Sequence, residues 1–158
     1  MNQSIKKILF VCTGNQCRSP MAEHLFKHIL AKGLNPKAKE IAVTSASTGM
    51  YNGAPASRKT VEVMRRRGID LAGFRAKHAT PELIDWADLV LAMDRRNKKA
   101  IINMFPDAAA KTFTSKEYAG NDDNLDVEDP VGQPIEQYEK CANEIEEALI
   151  KVIKKLSA

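Results

Sequence analysis

Cysteine is scarce: the 158 residues hold three, Cys12, Cys17 and Cys141. So small and odd a count cannot build a secreted, disulfide-stapled scaffold. No apolar run approaches the roughly 18 residues that a membrane span needs. The opening MNQSIKKILF carries two lysines but only a short apolar run, a poor secretory signal. These absences predict a cytoplasmic protein with reduced thiols and no membrane partner. Strong net charge is also lacking, since 24 Lys and Arg against 20 Asp and Glu leave +4. The densest basic run, Arg65, Arg66 and Arg67, ends a predicted helix, where cations suit the dipole. It is too short and too poor in aromatics for a nucleic-acid stripe.

What is present is an ordinary globular composition, 44% hydrophobic and 28% charged, of a length that suits one domain over residues 1–158. KKILFVC (6–12) reads as a buried strand, and 19–32 as a helix with Met21, Leu25 and Ile29 on one face. Ser19 suits its N-cap, Pro20 its first position and Gly33 its stop. A strand over 40–47, a helix over 56–68 and a short capped helix over 80–87 follow. Next come a strand over 88–93, a helix over 94–105, a short strand over 111–115 and a long helix over 134–156. This alternation predicts an α/β domain, a parallel sheet with helices on both faces.

FVCTGNQCRSP (10–20) sets a cysteine at the end of the first strand and an arginine six places on. In such sheets ligands bind beyond the carboxyl ends of the strands, where helices begin. A tight turn entering a helix N-terminus lines up backbone N–H groups around a concave anion site. Gly14 and Asn15 tolerate the positive φ that the bend needs. Arg18 offers a planar fork for two phosphate oxygens. Thr13, Gly14, Asn15, Gln16, Cys17 and Ser19 complete a phosphate-binding loop, with Cys12 at its floor. The field that holds a phosphate favours a thiolate, and a thiolate beneath a phosphate can attack it to form phosphocysteine.

Competing readings find less support. The Walker pattern G-x-x-x-x-G-K is absent. No second ligand pair stands at zinc spacing from Cys12 and Cys17, and His24 and His28 are expected to be solvated or partly packed. NDDNLDVEDP (121–130) is the one loop dense in carboxylates, without the glycine and closing glutamate of a calcium loop. Asp122, Asp123 and Asp126 are expected there as solvated charges.

VCTGNQCRSP at 11–20 resembles the low-molecular-weight protein tyrosine phosphatase family, whose signature is V-C-x-G-N-x-C-R-S-P. TSASTG (44–49), GIDL (68–71), ADLVLAMDR (87–95) and EDP (128–130) fall where that family has their counterparts, so the resemblance runs nearly end to end. It implies a four-stranded parallel sheet, Cys12 as nucleophile and Arg18 as the clamp on the transferred phosphoryl group. It implies Asp129, stiffened by Pro130, as general acid and then base, with Ser19 bonding the thiolate and Asn15 bracing the loop. Cys17 would trap oxidised Cys12 as a reversible disulfide, while Cys141 is expected in the core. The reaction calls for no metal or other cofactor. The implied partner is a phosphorylated protein, and the enzyme a monomer.

Three departures bear on the substrate. Tyrosine-specific members carry an aromatic after D-P, where this chain has Val131 and Gly132. Tyr51 occupies the opposite wall, where an aromatic is frequent. Phe74 stands where many members have a histidine that supports the loop asparagine, so support for Asn15 is expected from Ser45. A branch that removes phosphate from protein arginine shares VCTGN, FTSKEY (113–118) and Asp-Pro-x-Gly with this chain. Its marker, a threonine before the loop's second cysteine, is Gln16 here. Phosphotyrosine is therefore the first reading and phosphoarginine the second. Arsenate reduction on this fold needs two further relay cysteines, and residues 70–110 contain none.

Overall fold

The computed structural model describes residues 4–33, 40–50 and 52–157. Its strands are β1 (Lys7–Cys12), β2 (Ala42–Ser47), β3 (Leu89–Ala92) and β4 (Thr112–Thr114). Its helices are α1 (Arg18–Ala31), α2 (Arg58–Arg66), α3 (Pro81–Trp86), α4 (Arg95–Met104), α5 (Ser115–Tyr118) and α6 (Ile135–Leu156), with a 3-10 helix over Pro106–Lys111.

Five consecutive side chains of β1, Ile8 to Cys12, are buried, as an interior strand covered on both faces requires. The sheet order is β2-β1-β3-β4, every pair parallel. Ile8 and Phe10 pack with Phe26 of α1, Met64 of α2 and Leu149 of α6 on one face. Leu9 and Val11 meet Ile84 of α3 and Ile101 of α4 on the other. The expected α/β architecture is present, with the four parallel strands that the family resemblance implies.

The chain passes from β1 to β2 on one side, then returns to β3 on the other. The crevice at such a reversal is where open α/β sheets bind ligands, and Cys12 ends β1 there. The basic run at 65–67 bridges helices: Arg65 and Arg66 pair with Glu62, while Arg66 and Arg67 reach Glu139 and Glu146 of α6.

Helix α1 departs from expectation at its start. Cys17 is the N-cap and makes no side-chain cap bond, so Ser19 is not the cap and Pro20 is the third helical residue. First-turn N–H groups have no intrahelical acceptor, so Pro20 forfeits no bond there, and the N–H of Ser19 is free for the loop. Helix α5 is an element that the hydrophobic pattern does not predict. Its capping box, Thr114 with Glu117, is a spacing visible in TSKE.

Candidate active site

The loop bends at Asn15, which has φ of 55° and is fully buried. Gly14 keeps a negative φ, so of the two residues expected to allow the turn only Asn15 uses the left-handed region. Asn15 Oδ1 accepts from Lys77 N at 3.0 Å, which fixes the amide's orientation. Its Nδ2 donates to Ser19 Oγ at 2.8 Å and Ser45 Oγ at 3.0 Å. Each hydroxyl, having accepted, sends its own proton elsewhere. Ser45 donates to Glu23 Oε1 at 2.6 Å, and Ser19 faces Cys12 Sγ at 2.9 Å. The backbone N–H of Ser19 adds a second donor to the sulfur at 3.4 Å.

The expected support of Asn15 by Ser45 therefore holds, and it explains how Phe74 is tolerated. Glu23, which ends this chain of bonds, is not apparent from the sequence pattern. It is buried and pairs with Lys27 Nζ at 2.6 Å and His24 Nε2 at 3.4 Å. The available signal is its spacing: one helical turn after Ser19, on the same face.

Arg18 opens α1 and is 2% exposed. Its Nη1 donates to Asp94 Oδ2 at 2.6 Å and to Val127 O at 2.8 Å, while Nη2 lies 3.7 Å from Asp129 Oδ2. Burial opposes the guanidinium charge, but the bond to Asp94 and the negative groups around it outweigh burial and hold its pKa above the ordinary value. With Nη1 committed to the protein, Nε and Nη2 form the edge that can take two phosphate oxygens. Asp94 also caps α4, accepting from Asn97 N at 2.7 Å. The Asn97 amide spans Asp94 Oδ1 at 2.9 Å and Thr13 Oγ1 at 3.0 Å. The sequence pattern marks neither Asp94 nor Asn97 as a site residue, although Asp94 lies two residues beyond the end of β3, at the ligand-binding edge of the sheet.

Asp129 has a half-exposed side chain, and its Oδ1 accepts from Val131 N at 3.1 Å. Pro130 behind it is buried, and Val131 is 63% exposed. Thr13 is exposed, Gly14 and Gln16 are half-buried, and Gln16 Nε2 donates to Pro55 O at 3.1 Å. The Cys17 thiol is buried and donates to Ser57 Oγ at 3.4 Å. Burial pushes that thiol up, against bonds to Ser57 and Thr60. Tyr51 lies outside the described residues. The side chain of Asp126 is exposed but is not a lone solvated charge: both its oxygens bind the Arg95 guanidinium, which holds its carboxyl below the ordinary value. The pattern could not show this, because the partner lies 31 residues away. Among the described residues no cluster of three or more His, Cys, Asp or Glu side chains is disposed to hold a metal ion, and no helix is long and apolar enough to cross a membrane.

A cysteine under a loop of N–H donors, an arginine with a free edge and a carboxylate above them suit phosphoryl transfer. The family model for low molecular weight phosphotyrosine protein phosphatase matches residues 7–158. The chain belongs to that family. Like its low molecular weight phosphatase relatives it is a phosphoric monoester hydrolase, built on a cysteine-based phosphatase fold. A protein-arginine-phosphatase of Bacillus subtilis (strain 168) is 40% identical over 150 residues, 94% of this chain and 95% of the relative. The low molecular weight protein tyrosine phosphatase from T. tengcongensis is 43% identical with a TM-score of 0.86, covering 95% of this chain and 99% of that one. A mutant of the arginine phosphatase YwlE, solved with a phosphorylated active-site serine, is 40% identical with a TM-score of 0.86, covering 95% of each chain.

Proposed function

We propose that the chain removes phosphate from phosphotyrosine in proteins through a phosphocysteine on Cys12. The observation that carries this reading is the sulfur of Cys12 facing the hydroxyl and N–H of Ser19, with Arg18 entering the same loop. The Cys12 thiolate attacks phosphorus. An S–P bond forms, the bond to the leaving oxygen breaks, and that oxygen takes its electron pair together with the proton of Asp129. Arg18 and the loop amides hold the equatorial oxygens, where charge must be stabilised throughout. Asp129, now a carboxylate, takes a proton from water as that water attacks phosphorus. The S–P bond then breaks, its electrons return to sulfur, and inorganic phosphate departs. Thr13, Gly14, Asn15, Gln16 and Cys17 contribute the loop around the phosphate.

A second reading is a protein-arginine phosphatase, in which a P–N bond breaks and the leaving nitrogen takes the proton. It is favoured by the arginine phosphatase relative at 40% identity and by Val131, which offers no ring to stack on a phenol. Either enzyme is read as a cytoplasmic monomer acting on a phosphorylated protein, in keeping with three free thiols. Turnover of phosphotyrosine and phosphoarginine peptides by the purified protein separates the two. Cys12→Ser serves as the control: it should be inert toward both while still binding inorganic phosphate, and near-normal activity in that variant would refute the nucleophile.

A further inference from the structure

Where β3 passes into α4, Met93 and Arg95 directly, and Asp94 by way of Arg18, hold two consecutive residues of the loop that carries Asp129. Val127 N donates to Met93 O at 2.8 Å. Val127 O accepts from Arg18 Nη1 at 2.8 Å, and the same nitrogen binds Asp94 Oδ2. Asp126 Oδ1 accepts from Arg95 N at 2.8 Å, and the two carboxylate oxygens take Arg95 Nε at 3.2 Å and Nη2 at 3.1 Å. The loop needs such anchors, because residues 119–134 contain neither helix nor strand. Beside it lies a cleft of about 1200 Å³ whose lining includes Arg95, Asp126 and Asp129, open space for a released loop to enter.

We propose that Arg95 and Asp126 are positioning residues: their bidentate ion pair latches the acid loop to the start of α4 and so sets where Asp129 stands relative to Arg18. The proposal rests on Asp129 being the general acid, and it assigns control of that acid to a pair outside the phosphate loop. The geometry makes the latch separable from the phosphate grip. Val127 is held through backbone atoms and Arg18, whereas the Asp126 link can be cut without touching any residue that meets the phosphate. Both side chains are well exposed, 69% for Arg95 and 39% for Asp126, and exposed pairs add little to stability. The loss should therefore appear in the chemistry rather than in the unfolding temperature.

The test uses Asp126→Asn, with Arg95→Gln as a second variant, in burst kinetics on phenyl phosphate and on 2,4-dinitrophenyl phosphate. Phosphoryl transfer from phenyl phosphate should slow by roughly 10- to 100-fold, the scale of a misplaced catalytic group. Transfer from the dinitrophenyl ester, which leaves without an acid, should stay near wild type, as should competitive inhibition by inorganic phosphate. In an Asp129→Asn background Asp126→Asn should cause no further loss, and the Arg95–Asp126 double variant should be no worse than either single one. Equal losses on both esters, full additivity with Asp129→Asn, weakened phosphate inhibition or unchanged kinetics would each overturn the latch. If Asp129→Asn itself shows no dependence on the leaving group, the acid assignment fails and the latch with it. If Asp129→Asn shows that dependence and Asp126→Asn does not, the latch alone fails.

Discussion

Ser19 Oγ lies 2.9 Å from Cys12 Sγ while accepting from Asn15 Nδ2 at 2.8 Å, so toward a Cys12 thiolate, which has no proton to give, the hydroxyl of Ser19 is the proton donor. That proton stabilises a thiolate twice, as the attacking group and as the group expelled when phosphocysteine is hydrolysed. A hydrogen bond to a charged group is worth about 1.5–3 kcal/mol, or roughly 10- to 100-fold in rate. Ser19→Ala should lose activity on that scale, chiefly in dephosphorylation, so that phosphoenzyme accumulates. Rapid quenching should trap more phosphocysteine than in wild type; less would contradict the direction assigned to this proton.

Arg18→Lys should be almost as inactive as Arg18→Ala. The guanidinium meets Asp94 Oδ2, Val127 O and the phosphate site from one planar fork. An ammonium is a point charge that cannot bridge two phosphate oxygens while keeping both protein contacts. Steady-state rates and phosphate inhibition on the two variants check this, and a lysine enzyme at half the wild-type rate would rule out bidentate clamping.

How much of this site is legible in the sequence depends on the distance over which each residue acts. Strand β1, the loop and α1 are consecutive, so an apolar run, Gly-Asn and Ser-Pro suffice to predict an anion cradle with Cys12 at its floor. Ser19 shows the limit of such local reading. A serine before proline matches an N-cap, yet in the fold its hydroxyl turns to Cys12 and Cys17 takes the cap position. Asp126 and Asp94 meet partners 31 and 76 residues away, in pairings that only the sheet order creates. Glu23 belongs to both groups: its helical spacing from Ser19 is local, whereas its partner Ser45 sits on β2.

Mild peroxide should inactivate the enzyme reversibly. Peroxide oxidises the Cys12 thiolate to a sulfenic acid, which condenses with the Cys17 thiol to form a disulfide and release water. Burial holds the Cys17 thiol above its ordinary pKa, so condensation should quicken as pH rises. Dithiothreitol should restore activity to the wild type and not to Cys17→Ser. Peptide maps showing only overoxidised Cys12 would reject the pairing.

Alkali should weaken the fold through Cys141. Burial pushes its thiol up to about 12, above an ordinary value of 9.0. A raised folded pKa gives stability that is full below the unfolded value and is lost as pH rises toward the folded one. Unfolding midpoints in urea should therefore decline between about pH 9 and about pH 12, and Cys141→Ala should flatten that decline. Parallel slopes for the two proteins would show that Cys141 does not contribute.

Asp129 separates chemistry from binding. A general acid matters in proportion to the basicity of the atom that leaves, so its removal should fall unevenly across substrates. Asp129→Asn should slow transfer from a phenolic phosphate with a basic leaving oxygen by roughly 10²–10⁴-fold, the usual worth of a positioned acid. Nitrophenyl phosphate leaves with less help, and its transfer step should suffer less. Hydrolysis of phosphocysteine should slow as well, because the same group then acts as base toward water. Phosphate inhibition should be nearly unchanged, since Asp129 Oδ2 stands 3.7 Å from Arg18 Nη2 and the loop amides do not depend on it. Asp122→Asn, at an exposed position in the same loop, supplies the control and should change little. Burst kinetics on the three proteins with both esters give the transfer and hydrolysis rates separately. A uniform loss across leaving groups, or equal losses for Asp122 and Asp129, would remove Asp129 from the acid's role.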